Sequence, residues 1–470
     1  MAEIYDFTLP FKAVKSYTVF TFKRFYGDYI VIGRENIPTG SPLIFAPNHI
    51  NALMDALAVH AVIPPGIPLI FLARSDLFKN TRAAKLMNFM KMMPAFRMRD
   101  GIENLDKNNE IFERCVEVLD HNAALGIMPE GNQGAHHRLR PLVKGIFRIA
   151  FSAQQKYGAQ PGVKIIPVGI NLGDLVKSGK HIIISIGKPI EVEEYMKEYA
   201  ANSVQATNEI RNRLREDLSN LSLDLASETY YDCLKTITRV ANTSYLKELE
   251  LPDTTFNRFL ARQKIAERLV EVEKNDPERI AALDIKGAEY ERNLKTLNLR
   301  DWVFEQLPFK SVSLIMQGLK LLCTFPFFLY GFLTNFLPYL SPLFLRKRVL
   351  KTKDSGFFSS LHFALGMLTF PLFYSLQTLL FYTLFPFPAW ASIVFLVTQY
   401  PMGKGSLKWY NQAVKFIAKI RFRSLQRSQS NLLQRTIGLK REIIKLFLSQ
   451  KGEPNVHLVS VETQKKEVQI

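Results

Sequence analysis

Cysteine is scarce. The 470-residue chain has three, at positions 115, 233 and 323, too far apart to build a disulfide framework or a cysteine-based metal site. That usage suits a reducing compartment. A secretory leader is also missing. MAEIYDFTLPFKAVKSY places Glu3 and Asp6 early and has no uninterrupted apolar core, so the folded part is expected to stay on the side where it is made. Acidic residues are outnumbered: Lys+Arg is 61 against Asp+Glu 43, a net charge of +18. Such an excess points to an anionic partner. No helix-turn-helix, zinc-finger or RNP-like signature accompanies it, so nucleic acid is not the expected one. No G-x-S-x-G elbow occurs anywhere, which removes the usual setting for a serine acyl-enzyme.

The longest absence is of charge. Leu321–Leu345 holds no charged residue, and Phe357–Gly403 holds none apart from a histidine at 362. A bilayer-spanning helix needs about 20 apolar residues. The first stretch is expected to enter and return, helped by Pro326, Pro338 and Pro342. The second is expected to cross and come back, turning at FPFP (385–388). A core helix of a soluble protein is rarely apolar all round over such a length. RKRVLKTK (346–353) and the segment Lys404–Lys445, whose one acid is Glu442, are strongly basic. The positive-inside tendency puts both on the cytoplasmic face, with Tyr400, Trp409 and Tyr410 at the headgroup level. Attraction to anionic lipid is worth about 1 kcal/mol per basic residue near the surface.

Elsewhere the pattern is globular. Residues 10–26 read as an amphipathic helix, with Phe11, Val14, Tyr17, Phe20 and Phe25 against Lys12, Lys15, Lys23 and Arg24. It either lies on an anionic bilayer or packs on the neighbouring domain. Apolar runs at 29–33, 42–47, 68–74, 124–130, 164–171 and 181–187 read as strands. Helical patterns at 51–63, 78–92, 103–121 and 143–156 separate them. Strands apolar on both faces, with helices between, indicate an α/β fold whose sheet is largely buried. Residues 200–308 are polar, charged and helical in pattern, without a recognisable chemical motif. The expected organisation is a helix over 1–27, an α/β domain over 28–200 and a helical extension over 201–308. Membrane-embedded hairpins (309–403) and a basic helical tail (404–470) follow.

Three short segments carry chemistry. In NHINALMD, His49 sits where a strand gives way to a helix, and Asp55 follows. Histidine titrates near neutrality and can take a proton from an alcohol. A carboxylate one or two turns on can hold the other ring nitrogen. In GIMPEGNQG, Glu130 follows a strand, placed either to bond an acceptor hydroxyl or to brace the histidine, and Gly131 and Gly134 allow close backbone approach. Arg138, Arg140 and Lys144 come next, suited to phosphate or to solvent. In MMPAFRMRDG, Arg97 and Arg99 share one face of a strand, either as a phosphate clamp or as a solvated edge.

In order and spacing these segments resemble the PlsC-type glycerolipid acyltransferases, the lysophosphatidate and glycerol-3-phosphate acyltransferases. That family carries an N-H-x4-D block, an arginine-bearing strand, F-P-E-G and a V-P-V-like strand. Here stand Asn48-His49…Asp55, Arg97/Arg99, Met128-Pro129-Glu130-Gly131 and Ile166-Pro167-Val168. The resemblance covers roughly residues 28–190. It implies a mixed sheet flanked by helices and direct acyl transfer from acyl-CoA or acyl carrier protein, without metal or redox cofactor. The acceptor is 1-acylglycerol-3-phosphate, giving phosphatidic acid, or glycerol-3-phosphate. His49 would be the base, Asp55 its orienter and Glu130 a third catalytic group. Arg97, Arg99, Arg138 and Lys144 would bind substrate, and backbone N–H groups near Gly131 would meet the oxyanion. The partners are then the lipid bilayer and the acyl donor.

Two departures stand out. Five residues, not four, separate His49 from Asp55. One extra helical residue turns a side chain by about 100° and advances it by about 1.5 Å, so a bulge or a late helix start must absorb it. Asn51 is the alternative orienter. The family's Thr-Arg after Glu-Gly is Asn132-Gln133 here. Acceptance of another lysophospholipid, or a non-catalytic membrane-binding scaffold, are the rival readings.

Overall fold

The computed structural model describes residues 4–449, except 96–106, 122, 135, 159–160, 306–308, 310 and 351–354. The apolar runs form β1 (Tyr29–Ile32), β2 (Leu43–Pro47), β3 (Leu69–Arg74), β4 (Met92–Ala95), β5 (Ala124–Gly126), β6 (Lys164–Leu172), β7 (Ile182–Ile186) and β8 (Ile190–Glu191). They make one sheet in the order β1-β7-β6-β2-β5-β3-β4, with β8 beside β6. β7 and β8 pair with β6 antiparallel and every other pairing is parallel, so the sheet is mixed.

Five helices belong to this layer: α1 (Leu9–Phe25), α2 (Ala52–Val62), α3 (Thr81–Phe89), α4 (Lys107–Asp120) and α5 (Gly145–Tyr157). The strands are apolar on both sides because both faces are covered. Along β2, Leu43 and Phe45 pack with α1 and α2, while Ile44 and Ala46 pack with α4 and α5. α1 buries Phe11 and Phe22 against the domain and leaves Lys12, Lys23 and Arg24 exposed. The helix expected over 78–92 is shorter than its pattern. It ends at Phe89, Lys91 takes a left-handed φ of 59°, and MMPA pairs with β3 as an edge strand.

The chain continues through α6 (Met196–Ala201), α7 (Ser203–Leu221), α8 (Tyr231–Val240), α9 (Asn242–Glu248), α10 (Thr255–Asn275), α11 (Pro277–Leu297) and α12 (Trp302–Glu305). α7 buries Ala206, Ile210, Leu214 and Leu218, a stripe at helical spacing, in the same core as α5. It therefore belongs with the sheet, and the expected boundary at residue 200 falls one helix early. Gly169 of β6 permits this, because a Cβ there would collide with the Leu221 carbonyl.

The charge-free stretches fall within α13 (Ser311–Cys323), α14 (Phe325–Leu345), α15 (Phe358–Leu384) and the first part of the long α16 (Ala389–Arg427), which α17 (Asn431–Leu448) follows. α14 and α15 are long and apolar enough to cross a membrane. The turn between α15 and α16 falls at Phe385–Pro388, where FPFP was expected to place it. The reversal expected within 321–345 is not there. α14 runs unbroken through Pro338 and Pro342. A proline inside a helix deprives the carbonyl four residues back of its donor, and each such carbonyl is met from elsewhere. Gln377 Nε2 donates to Thr334 O (3.0 Å), which Pro338 strands. Thr369 Oγ1 (3.3 Å) and Ser341 Oγ (3.2 Å) donate to Pro338 O, which Pro342 strands. Tyr17 Oη, from α1, donates to Met367 O (2.8 Å), which Pro371 of α15 strands.

The basic tail expected over 404–470 divides. Up to Arg427 it is the continuation of α16. Beyond it, α17 buries Leu433, Leu439, Ile443 and Phe447 in the core of α8–α11. Its charges meet acids there: Arg435 binds Glu289, Lys440 binds Asp301, and Glu442 receives Lys286. An amphipathic basic helix reads alike in sequence whether its apolar face meets lipid or protein.

Replacing Gln377 by leucine leaves Thr334 O without that donor inside an apolar bundle. The expected cost is about 1–3 kcal/mol, read as a lower thermal unfolding midpoint of the detergent-purified protein.

Candidate active site

The site lies at the carboxyl ends of β2 and β5, where crevices form in sheets of this kind. Asn48 fixes the end of β2. Its Oδ1 accepts from Ile170 N (2.6 Å) and its Nδ2 donates to Ile170 O (3.2 Å), so one side chain extends the ladder to β6. His49 comes next. Its Nδ1 is 3.0 Å from Asp55 Oδ2, the histidine side chain being 13% exposed and the aspartate 0%. Facing a carboxylate, which only accepts, Nδ1 carries a hydrogen; in the neutral ring this leaves the lone pair on Nε2.

The extra residue between them is absorbed at the helix start. Asn51 sits at φ −148°, ψ 57°, Ala52 at φ 36°, and α2 begins only at Ala52. Asp55 thereby falls in the first turn of α2, where the helix dipole favours a negative charge. Asn51 does not replace Asp55 as the ring's partner. Its backbone N–H donates to the same Asp55 Oδ2 at 2.6 Å.

Glu130 is buried and both its oxygens are engaged by the backbone. Oε1 accepts from His49 N (2.7 Å) and Oε2 from Arg140 N (3.1 Å). Burial pushes this carboxyl up, and the two backbone N–H groups pull it part of the way back. Of the two roles open to it in sequence, these bonds are those of a brace for the histidine's main chain. The Gly131 N–H, expected near the oxyanion, donates instead to Met128 O (3.1 Å) and closes a tight turn with Gly131 at φ 70°. Arg140 holds the loop after it. Nη1 donates to Asn132 O (3.1 Å) and Nη2 to Gln133 O. Its own carbonyl accepts from Arg215 Nη1 (3.0 Å). A Cβ on Gly134 would overlap the Arg140 guanidinium where it now lies.

The other expected binding residues are dispersed. Arg138 faces away along the loop and pairs with Glu228 (3.2 Å). Lys144 stands exposed at the N-terminus of α5. Arg97 and Arg99 lie outside the described residues. Asn48, and Arg140 as a loop clamp, escaped the sequence reading. An asparagine at a strand end, able to donate and accept together, was the available signal for the first.

A family model described as acyltransferase matches residues 28–171, the segment that contains His49, Asp55 and Glu130. Over that segment the chain is similar to the acyltransferases. Glycerol-3-phosphate O-acyltransferase 1 of Saccharomyces cerevisiae is 27% identical over 200 residues, which are 42% of this chain. The match spans 25% of that protein's length. The crystal structure of the 1-acyl-sn-glycerophosphate (LPA) acyltransferase PlsC from Thermotoga maritima aligns at a TM-score of 0.32 and 19% identity. It covers 44% of this chain and 76% of that one. Among the described residues of the acyltransferase domain and its neighbours, no three His, Cys, Asp or Glu side chains gather as a metal site.

Glu130→Gln in the acyltransferase domain keeps size but turns an amide NH2 toward one of two backbone donors. It is expected to cost about 1–3 kcal/mol and to lower activity at unchanged ionic strength and pH. Thermal unfolding beside a turnover assay checks both.

Proposed function

We propose that the protein is a membrane-bound glycerolipid O-acyltransferase. It moves an acyl group from acyl-CoA or acyl carrier protein to a hydroxyl of 1-acylglycerol-3-phosphate or glycerol-3-phosphate. What supports this reading above all is the His49–Asp55 pair, with Nδ1 tied to a buried carboxylate and the ring partly open to solvent.

The chemistry balances without further reagents. His49 Nε2 takes the proton of the acceptor hydroxyl as its oxygen attacks the thioester carbonyl carbon. Asp55 holds the ring and stabilises the imidazolium. The C–S bond breaks, and the thiolate leaves with the proton that His49 returns. Arg97 and Arg99 hold the acceptor's phosphate, so that binding energy places the hydroxyl. No metal or redox cofactor enters the reaction as proposed.

The bilayer is the other partner. α14–α16 expose Phe327, Leu333, Leu368, Leu380, Trp390 and Val397 at their surface, more apolar area than a soluble surface carries. Ser359 touches the catalytic loop, and Leu407 lies 3.6 Å from where a Cβ on Gly179 would stand. The basic segments beside these residues thus border the acyltransferase domain, and the positive-inside tendency assigns that side to the cytoplasm. Reporter tags near residues 200, 350 and 450 should all report cytoplasmic, with the unbroken α14 lying in the bilayer without crossing it; a tag at 350 on the far face refutes the topology.

His49→Ala in purified protein should lower transfer from labelled acyl-CoA by about 100-fold or more. The assay is run on glycerol-3-phosphate and a panel of lysolipids with products read by mass, and a rate equal to wild type refutes the reading. The panel also decides the acceptor. Preference for a lysolipid with another head group would accord with Asn132-Gln133 standing where the family has Thr-Arg. Arg99→Ala should raise KM for the acceptor far more than KM for acyl-CoA; equal effects on both count against the phosphate clamp.

A further inference from the structure

Asn51 is 1% exposed and every polar group it owns is occupied. Its N–H donates to Asp55 Oδ2 (2.6 Å), the oxygen that holds the His49 ring. Its Nδ2 donates to Leu175 O (2.8 Å), in the loop between β6 and β7. Its Oδ1 accepts from Ser359 Oγ (2.7 Å) and its O from Ser360 Oγ (3.4 Å), both in the first turn of α15. Ser359 and Ser360 are 2% and 4% exposed. Three hydrogen bonds therefore lead from the apolar hairpin to the imidazole: Ser359 to Asn51, Asn51 to Asp55, Asp55 to His49.

The seat of α15 extends beyond these serines. Phe363 packs edge-on against Phe22 and Phe25 of α1, and Tyr17 of α1 caps the Met367 carbonyl. The first three turns of α15 thus lie against α1 and α2, the second of which carries Asp55. A helix serving only to hold the protein on a bilayer has no need to place buried hydroxyls on the residue that orients the catalytic carboxylate.

We propose that Ser359 and Asn51 are positioning residues, and that the apolar hairpin completes the catalytic centre as well as anchoring it. This rests on the acyltransferase reading above. Ser359 fixes the Asn51 side chain, and the peptide N–H of Asn51 then holds Asp55 Oδ2 where His49 Nδ1 meets it. Without the hydroxyl, Asn51 Oδ1 is buried without that donor, the irregular turn at 51–52 loses its outer support, and the dyad loosens. Groups that bind either substrate are untouched.

The test uses the full-length protein in detergent micelles, with a short-chain acyl-CoA and whichever acceptor the wild type turns over, so that attachment to a bilayer plays no part. Ser359→Ala is expected to lower kcat about tenfold, with KM for both substrates within a factor of about two. Ser359→Thr, which keeps the hydroxyl, should retain most of the wild-type kcat. Asn51→Ala should lower kcat at least as much, and the double variant Asn51→Ala/Ser359→Ala should be no worse than Asn51→Ala alone, as expected for residues acting through one link. Wild-type kcat in Ser359→Ala, a loss carried by KM, or additive losses in the double variant each overturn the proposal. A parallel His49→Ala assay separates the two levels. If that variant is as active as wild type, the acyltransferase reading at His49 fails; if it is inactive while Ser359→Ala is normal, only the positioning role fails.

Discussion

One carboxylate oxygen carries the geometry of this site. Asp55 Oδ2 accepts from the His49 ring and from the Asn51 main chain, and it reaches both only because α2 begins late. An α2 started one residue earlier would turn Asp55 by about 100° away from the imidazole. The late start puts Ala52 in the left-handed region at φ 36°, a conformation that costs an L-residue about 1–2 kcal/mol. Strain of that kind persists where the surroundings over-determine it. Here they do: Asn48 pins the preceding strand to Ile170 through both the oxygen and the nitrogen of its side-chain amide, and Glu130 holds the His49 amide from the other side.

The loop from Glu130 to Lys144 follows the same logic. A buried carboxylate is costly unless its lone pairs are occupied, and Glu130 spends its two oxygens on the amides of His49 and Arg140. Arg140 in turn turns its guanidinium back on the carbonyls of Asn132 and Gln133. Neither side chain is placed to meet a substrate while those bonds last. Charged residues close to a dyad are easily credited with chemistry; here they keep backbone groups satisfied so that the histidine stands at a fixed point of the crevice.

Much of this was legible in sequence, for identifiable reasons. The central strands declared themselves because both faces of the sheet are covered and their residues are apolar throughout. The hairpin declared itself by the absence of charge over Phe357–Gly403, and its turn by FPFP. The boundary between α3 and β4 was not legible, because MMPA is four apolar residues and periodicity cannot tell such a run from the end of a helix. The continuity of α14 was not legible either. Pro338 and Pro342 read as breakers, and the donors that answer them, Gln377 and Thr369, lie in another helix. The fate of α17 turned on acids of α11 and of the turn after it, more than 130 residues away. The bond from Ser359 to Asn51 joins residues 308 apart, a separation at which no local pattern speaks.

The proline-stranded carbonyls and the dyad are parts of one assembly problem. In the membrane reading proposed above, an apolar helix gains little from burial against another apolar helix, so hydrogen bonds and close packing must specify how such helices meet. Prolines in α14 and α15 create carbonyls that neighbouring elements help to satisfy: α15 supplies donors to α14, beside α14's own Ser341, and α1 supplies one to α15. Those requirements fix the rotation and depth of α15 relative to α1. That rotation is what turns Ser359 and Ser360 inward at its first turn, onto Asn51. A serine pair on a freely turning anchor would find water as readily as Asn51. The polar vacancies in the hairpin therefore do more than hold three helices together: they decide which face of α15 meets the loop on which the histidine stands.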